Sequence, residues 1–266
     1  MSIDTTEGPA RDVALIPRIG ARTDAQAVAL AAYDRLLALL GRLGSDDWQS
    51  PTECPGWTVA DMVGHVIGAA RSATSLRQQL RRALKARRLL AEHGGNLLDA
   101  INAVQVREHA HLRPQERITL LRQVAPRAVA GRTNLSRTLL RRVPIANPPG
   151  GSTPEGSPDR LTVGQLSEVI WTRDVWMHTV DIARATGRRL DPARSVDGRI
   201  VEDAVAEWAR RHGQPFLLFL SGPAGGLFSQ GDSAAGPRIN LDAIEFCRIL
   251  SGRAYGTGLL ATRILF

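Results

Sequence analysis

A chain of 266 residues with 43% hydrophobic residues can bury an ordinary core, in one large domain or two smaller ones. No apolar run approaches the ~18–20 residues of a membrane span, and the opening residues from Met1 to Gly8 lack the basic-then-apolar pattern of a signal peptide, so a soluble, cytoplasmic protein is expected. The net charge is +8, but the basic residues are spread along the chain and aromatic residues make up only 5%, which weighs against a nucleic-acid surface.

Residues 1–22 contain Gly8, Pro9, Pro17 and Gly20 and read as a loose leader. From Asp24 to Leu43 the spacing of Ala27, Leu30, Leu37, Leu40 and Leu43 predicts a helix, ended by Gly44. Ser45 to Trp57 is turn-rich, with Pro51, Pro55 and Gly56. Thr58 and Asp61 resemble a capping box that opens a long helix carrying Val59, Met62, Val63, Val66, Ile67 and Ala70, reaching Leu90 or beyond. On its second half Arg77, Arg81, Arg82, Lys85, Arg87 and Arg88 recur three or four apart, which predicts a solvated face. Gly94-Gly95 breaks it. Asn96 to His109 is helical again, and a further helix runs from Pro114 to about Val143, with Pro126 as a candidate kink.

Ile145 to Asp159 is rich in Pro and Gly and reads as a loop. Thr162 and Gln165 form another capping box, and the helix they open runs to about Thr186, where Gly187 stops it. Residues 1–190 therefore predict a helical bundle. Beyond 191 the pattern changes: a helix from Ser195 to Arg211, a buried strand from Phe216 to Leu220, a turn from Gly222 to Gly226, a helix capped by Asn240, and a final strand from Leu259 to Phe266. Residues 191–266 predict a small α+β domain, making the whole chain mainly α.

The candidate chemistry lies in Trp171-Thr-Arg-Asp-Val-Trp-Met-His-Thr-Val-Asp181. At 100° per residue from Val163, the residues Leu166, Ile170, Asp174, Met177, His178 and Asp181 fall in one stripe of about 120°. Ionisable groups on an apolar face are costly unless paired, hydrogen-bonded or metal-bound. Asp174 and His178, four apart, are neighbours that can give two ligands to one ion. His65, beside Met62, Val66 and Ala69 on its own helix, can supply a third, with a fourth position open to water or substrate. The same residues are also consistent with a hydrogen-bonded core histidine and a core ion pair, and Asp181 with a partner for an imidazole, for Arg173 or for Arg184. Cys54 and Cys247 are far apart and form no Cys-x-x-Cys pair, so two reduced thiols are expected, at least one of them buried.

Thr52-Glu-Cys-Pro-Gly-Trp-Thr-Val-Ala-Asp-Met-Val-Gly-His65 resembles the N-terminal signature of the mycothiol-dependent maleylpyruvate isomerase family. Gly222-Pro-Ala-Gly-Gly226 and Ala243-Ile-Glu-Phe-Cys-Arg-Ile-Leu-Ser-Gly-Arg253 resemble its small C-terminal domain; residues 75–160 match no motif. The resemblance implies a DinB-like four-helix bundle followed by a small α+β domain. It implies metal ligation by His65 and His178, with Asp174 where the family has Glu, and zinc as the divalent ion. It also implies mycothiol as co-substrate, His65 as the residue kept for acid–base work if the ion is absent, a structural role for Cys54 and a packing role for Trp57. The resulting expectation is an enzyme, an S-transferase or cis–trans isomerase, acting on a small electrophile through a metal-activated thiolate, with neither nucleic acid nor membrane as partner. Two other readings stay open on the residues alone: a non-catalytic regulator that binds nucleic acid or protein through the Arg77–Arg88 face, and a thiol-independent metal hydrolase.

Overall fold

The computed structural model describes residues 9–20, 23–74, 76–93, 97–136, 138–144 and 161–266. The Gly94-Gly95 break, the loop from Ile145 to Asp159 and the side chain of Arg77 lie outside the described residues. The chain divides into two compact units. Among the described residues, one holds residues 20–144 and 161–190 together with Phe266, and the other holds residues 9–19 and 191–265.

The first unit contains α1 (Ala25–Leu40), α2 (Val59–Thr74), α3 (Leu76–His93), α4 (Leu97–His109), α5 (Pro114–Ser136), α6 (Val163–Gln165) and α7 (Trp171–Ala185). Helix α1 packs on α5 and α7, and α2 packs on the same two, so these four close into a bundle; α3 and α4 lean on α2 from outside. The buried face of α1 is Val28, Ala29, Ala32, Tyr33, Leu36, Leu39 and Leu40. Of the residues that sequence spacing selects on α1, Ala27 is exposed, and Leu30 and Leu37 are half-buried. Alanine and leucine lie all round this helix, so its periodicity does not choose a face.

Where one long helix is expected from Thr58, the structure has two, α2 and α3. Helix α4 lies so close to α2 that a Cβ on Gly68 would sit 2.6 Å from Gln105 Cβ. Arg117 on α5 ties this corner together by donating to the carbonyls of Leu112, Ala60 and Ala110 at 2.9, 2.9 and 3.3 Å. The basic face of α3 is solvated at Arg81, Lys85, Arg87 and Arg88, but Arg82 departs from the expectation. It is 5% exposed and donates to Gly68 O, Ser72 Oγ and Glu108, because the small residues of α2 leave room for its stem.

In the second unit are β1 (Arg11–Asp12), α8 (Arg199–His212), β2 (Phe216–Ser221), β3 (Gly226–Gln230), β4 (Arg238–Asp242) and α9 (Ala243–Leu250). The sheet order is β1-β3-β2-β4, antiparallel between β2 and β3 and parallel at the other two pairings. Trp208 of α8 packs on Phe216 of β2 at 4.8 Å and on Phe246 of α9 at 5.3 Å between ring centroids. Gly213 ends α8 in the left-handed region, at φ 66°, where a side chain would be strained.

Three sequence expectations are corrected in this unit. Asn240 does not cap the last helix, because it lies within β4; the cap of α9 is Asp242, whose Oδ1 accepts from Ile244 and Glu245 N–H at 2.8 and 3.1 Å. The segment before α1 is not a loose leader of the bundle: β1 pairs with β3, Val13, Ile16 and Ile19 are buried, and Arg18 forms an ion pair with the fully buried Asp203 at 2.6 Å. A two-residue strand leaves no periodicity to read, and its partner is more than two hundred residues away. The tail is not a strand: it forms a 3-10 turn at Gly258–Ala261, and Ile264 N–H donates to Leu250 O at 3.1 Å. Among the described residues no helix is long and apolar enough to cross a membrane.

Candidate active site

The turn before α2 is closed by its own backbone. Thr52 N–H donates to Trp57 O at 2.9 Å, Trp57 N–H to Cys54 O at 3.1 Å, and Gly56 takes φ 78°. Thr58 N–H donates to Asp61 Oδ2 at 3.0 Å and Asp61 N–H to Thr58 Oγ1 at 3.2 Å, the reciprocal capping box that starts α2. This fixes Trp57 against His65, with ring centroids 5.1 Å apart, and places it 6.3 Å from the ring of His178.

His65 of α2 meets Asp174 and His178 of α7. His65 Nε2 lies 3.6 Å from Asp174 Oδ2, and His178 Nε2 lies 3.3 Å from Asp174 Oδ1. Both imidazoles are buried, whereas the Asp174 side chain keeps 23% of its surface exposed. One ligand atom from each of the three lies within 4.8 Å of the others. The other nitrogen of His178 is turned to Asp181, Nδ1–H to Oδ2 at 3.0 Å, with Asp181 fully buried behind it. Arg184 pairs with Glu53 at 3.0 Å. Cys54, His178 and Asp181 form a second group with ligand atoms within 4.8 Å of one another. Neither Cys54 nor Cys247 is in a disulfide, and Cys247 is buried.

The electrostatics follow from this packing. Burial pushes the Asp174 carboxyl up, but the adjacent imidazoles of His178 and His65 outweigh it and hold the group well below the usual carboxylate range. Burial pushes His178 down, and the Asp174 charge, together with hydrogen bonds of the imidazole to Asp174, Asp181 and Cys54, more than reverses it, so His178 is raised well above an ordinary imidazole. A divalent ion brought to this cluster would replace the proton on His178 Nε2.

A model of the mycothiol maleylpyruvate isomerase N-terminal domain family matches residues 29–183. The chain belongs to this family. Residues 29–183 span α1 through most of α7 and include His65, Asp174 and His178. Two strains of Mycobacterium tuberculosis carry a similar protein, described only as uncharacterised; it is 28% identical over 231 residues, covering 84% of this chain and 82% of the relative. Crystal structures of the mycothiol-dependent maleylpyruvate isomerase, and of a histidine-to-alanine variant of it, share the fold with a TM-score of 0.53 over 91% of this chain and 92% of theirs, at 13% identity. The family's architecture, a mainly helical bundle with a small sheet-bearing unit, is thus the architecture of this chain.

Sequence reasoning missed Trp57 as part of the site and two buried features of the bundle. Trp57 is a wall of the site as well as a packing anchor. On α5, Arg132 shares the buried face of Ala125, Ala128 and Val129, a spacing visible in the sequence that marks an arginine on an apolar stripe. The turn from Leu166 to Ile170 is π-helical and buries Ser167 and Glu168. Such turns are frequent at functional sites, and nothing in the local composition announces this one.

Proposed function

We propose that the chain is a mycothiol-dependent isomerase of a small electrophilic metabolite, with His65, Asp174 and His178 as ligands of a divalent ion, zinc by its donor set. One observation carries the reading. One ligand atom from each of His65, Asp174 and His178 lies within 4.8 Å of the other two, and two of the three are imidazoles, the donor set a zinc ion takes with bonds of ~2.0–2.2 Å. A divalent ion bound there supplies a lowered thiol pKa, and so thiolate near neutral pH.

The chain's own residues do the rest. Asp181 fixes the Nδ1 side of His178 and leaves Nε2 to the site. Trp57 flanks both imidazoles, at 5.1 and 6.3 Å between ring centroids. The exposed edge of Asp174 marks the side from which a thiol and an electrophile arrive. Addition of the thiol to a carbon–carbon double bond leaves a single bond; rotation about it and expulsion of the thiol give cis–trans isomerisation. Retention of the thiol instead gives S-transfer, which differs only in the last step, and membership of an isomerase family favours the former. A reduced low-molecular-weight thiol as co-substrate goes with a cytoplasmic location.

The test is turnover of maleylpyruvate by the zinc-loaded protein, with and without mycothiol. Formation of the trans isomer only when the thiol is present supports the reading. A stable S-conjugate moves the assignment to S-transfer, and turnover without thiol moves it to a hydrolase or another metal-dependent class.

A further inference from the structure

The two outer helices of the bundle, α3 and α4, pack on each other and leave a cleft of about 390 Å³. Among the described residues its walls are Lys85, Arg88 and Leu89 of α3 and Val104, Arg107 and Glu108 of α4. Pockets that hold small molecules run from about 300 to 1,000 Å³, so the cleft has room for one. None of the six residues belongs to the group of His65, Asp174 and His178, and all fall in the stretch of sequence that carries no family motif.

The charges of this cleft do not cancel. Glu108 is the one carboxylate among its described walls, and both of its oxygens are taken: Lys85 Nζ donates to Oε1 at 2.9 Å and Arg82 Nε to Oε2 at 2.7 Å. Arg88 and Arg107 are exposed, and neither has a carboxylate partner among the described residues. Cations gathered on a concave wall focus the field and draw in an anion, and the planar fork of a guanidinium fits a carboxylate. Beside these two arginines the walls are apolar: Val104 is 4% exposed and Leu89 half-buried. Each helix thus gives the cleft one unpaired guanidinium and one apolar side chain. An inorganic anion would use the arginines and leave Leu89 and Val104 wet. An uncharged apolar molecule would leave the arginines without a counter-charge.

We propose that the cleft between α3 and α4 is a second ligand site, for a small organic anion: a carboxylate held by Arg88 and Arg107 on a compact apolar body seated against Leu89 and Val104. Its described walls carry no thiol, hydroxyl or imidazole, so the site binds its guest and does not transform it. The inference goes beyond the isomerase reading and does not depend on it, because the two sites share no residue.

The experiment titrates the protein with naphthalene-2-carboxylate by calorimetry at low ionic strength, beside the neutral naphthalene-2-carboxamide and inorganic phosphate. The carboxylate is expected to bind with a Kd of about 1 mM or tighter, and about tenfold more tightly than either control, since hydrogen bonds to a charged group are worth that much. The double variant Arg88→Gln, Arg107→Gln, altered only at exposed positions, is expected to lose about tenfold in affinity. Leu89→Trp fills the cleft and keeps both arginines, and it is expected to lose a similar factor, which attraction by charge alone would not produce. Circular dichroism checks that both proteins stay folded. Removing zinc with a chelator should leave the affinity unchanged, because the cleft holds none of the metal-group residues. Phosphate or the carboxamide binding as tightly as the carboxylate overturns the proposal, and so does a double variant within about threefold of wild type. An affinity that disappears with the zinc places the carboxylate at the metal group and overturns it as well.

Discussion

His178 Nδ1 lies 3.0 Å from Asp181 Oδ2, and this contact decides which ring nitrogen faces Asp174 and His65. A carboxylate only accepts, so Nδ1 carries the hydrogen and Nε2 is the nitrogen left for an ion. Partners of this kind orient the ring and raise its basicity, and their loss typically lowers metal affinity ~10–100-fold. Asp181→Asn is expected to weaken zinc binding by that factor without abolishing it, measured by competition with a chromophoric chelator.

His178 belongs to two groups of ligating atoms, one with His65 and Asp174 and one with Cys54 and Asp181. The two make opposite predictions. With the ion on Nε2, His65→Ala loses stoichiometric zinc and Cys54→Ser keeps it. Elemental analysis of the two purified variants decides the matter, and the reverse pattern would move the ion to the thiol side of the ring.

Asp174 serves the metal-free protein as well. Its carboxyl is held below its ordinary value of 3.8, so the stabilisation it gives is present above that value and disappears as the pH falls through the lowered one. His178 is raised above its ordinary 6.5, so its share is full below 6.5 and disappears as the pH rises through the raised value. The pair therefore stabilises the ion-free fold across the window between. Asp174→Asn leaves His178 without this counter-charge, and a loss of about 1–3 kcal/mol is expected at neutral pH, below the figure for a fully buried pair because Asp174 is partly exposed. Urea unfolding of the chelator-treated proteins across pH measures it. Asp174→Glu, which keeps the carboxylate, should retain zinc where Asp174→Asn does not.

Much of this arrangement is legible in the chain itself, for a physical reason. Asp174, His178 and Asp181 lie within a single helix, and helical geometry makes neighbours of residues three and four apart. The wheel drawn from Val163 fails across the π-helical turn at Leu166–Ile170, which takes more residues per turn than the wheel assumes. Within α7 alone the relation survives. His65 comes from another helix, and spacing cannot bring two helices together; its place on an apolar face made it a candidate, and the resemblance carried by residues 52–65 tied it to His178. Trp57 reaches the site through tertiary packing, and β1 joins a sheet whose other strands begin at Phe216. Such contacts leave no local period to read.

A last prediction concerns the second unit. His212 closes α8 with Nδ1 accepting from Gln214 N–H at 3.0 Å, and its ring stacks edge-on against Trp208 at 4.3 Å. Nε2 is buried without a partner, and burial lowers the imidazole pKa to about 4. The folded protein thus binds this proton less readily than the unfolded chain does, so stability rises with pH over this range. Above 6.5 the group is neutral in both states and contributes no slope; from 6.5 down to about 4 the unfolded state takes the proton first and stability falls. Asn at this position keeps an acceptor for Gln214 N–H and does not titrate. His212→Asn should therefore lose less stability than wild type between pH 6.5 and about 4, with the difference between the two proteins levelling off below that. Parallel denaturation curves compared across that interval would show it, and identical acid limbs would mean that His212 charges freely in the folded state.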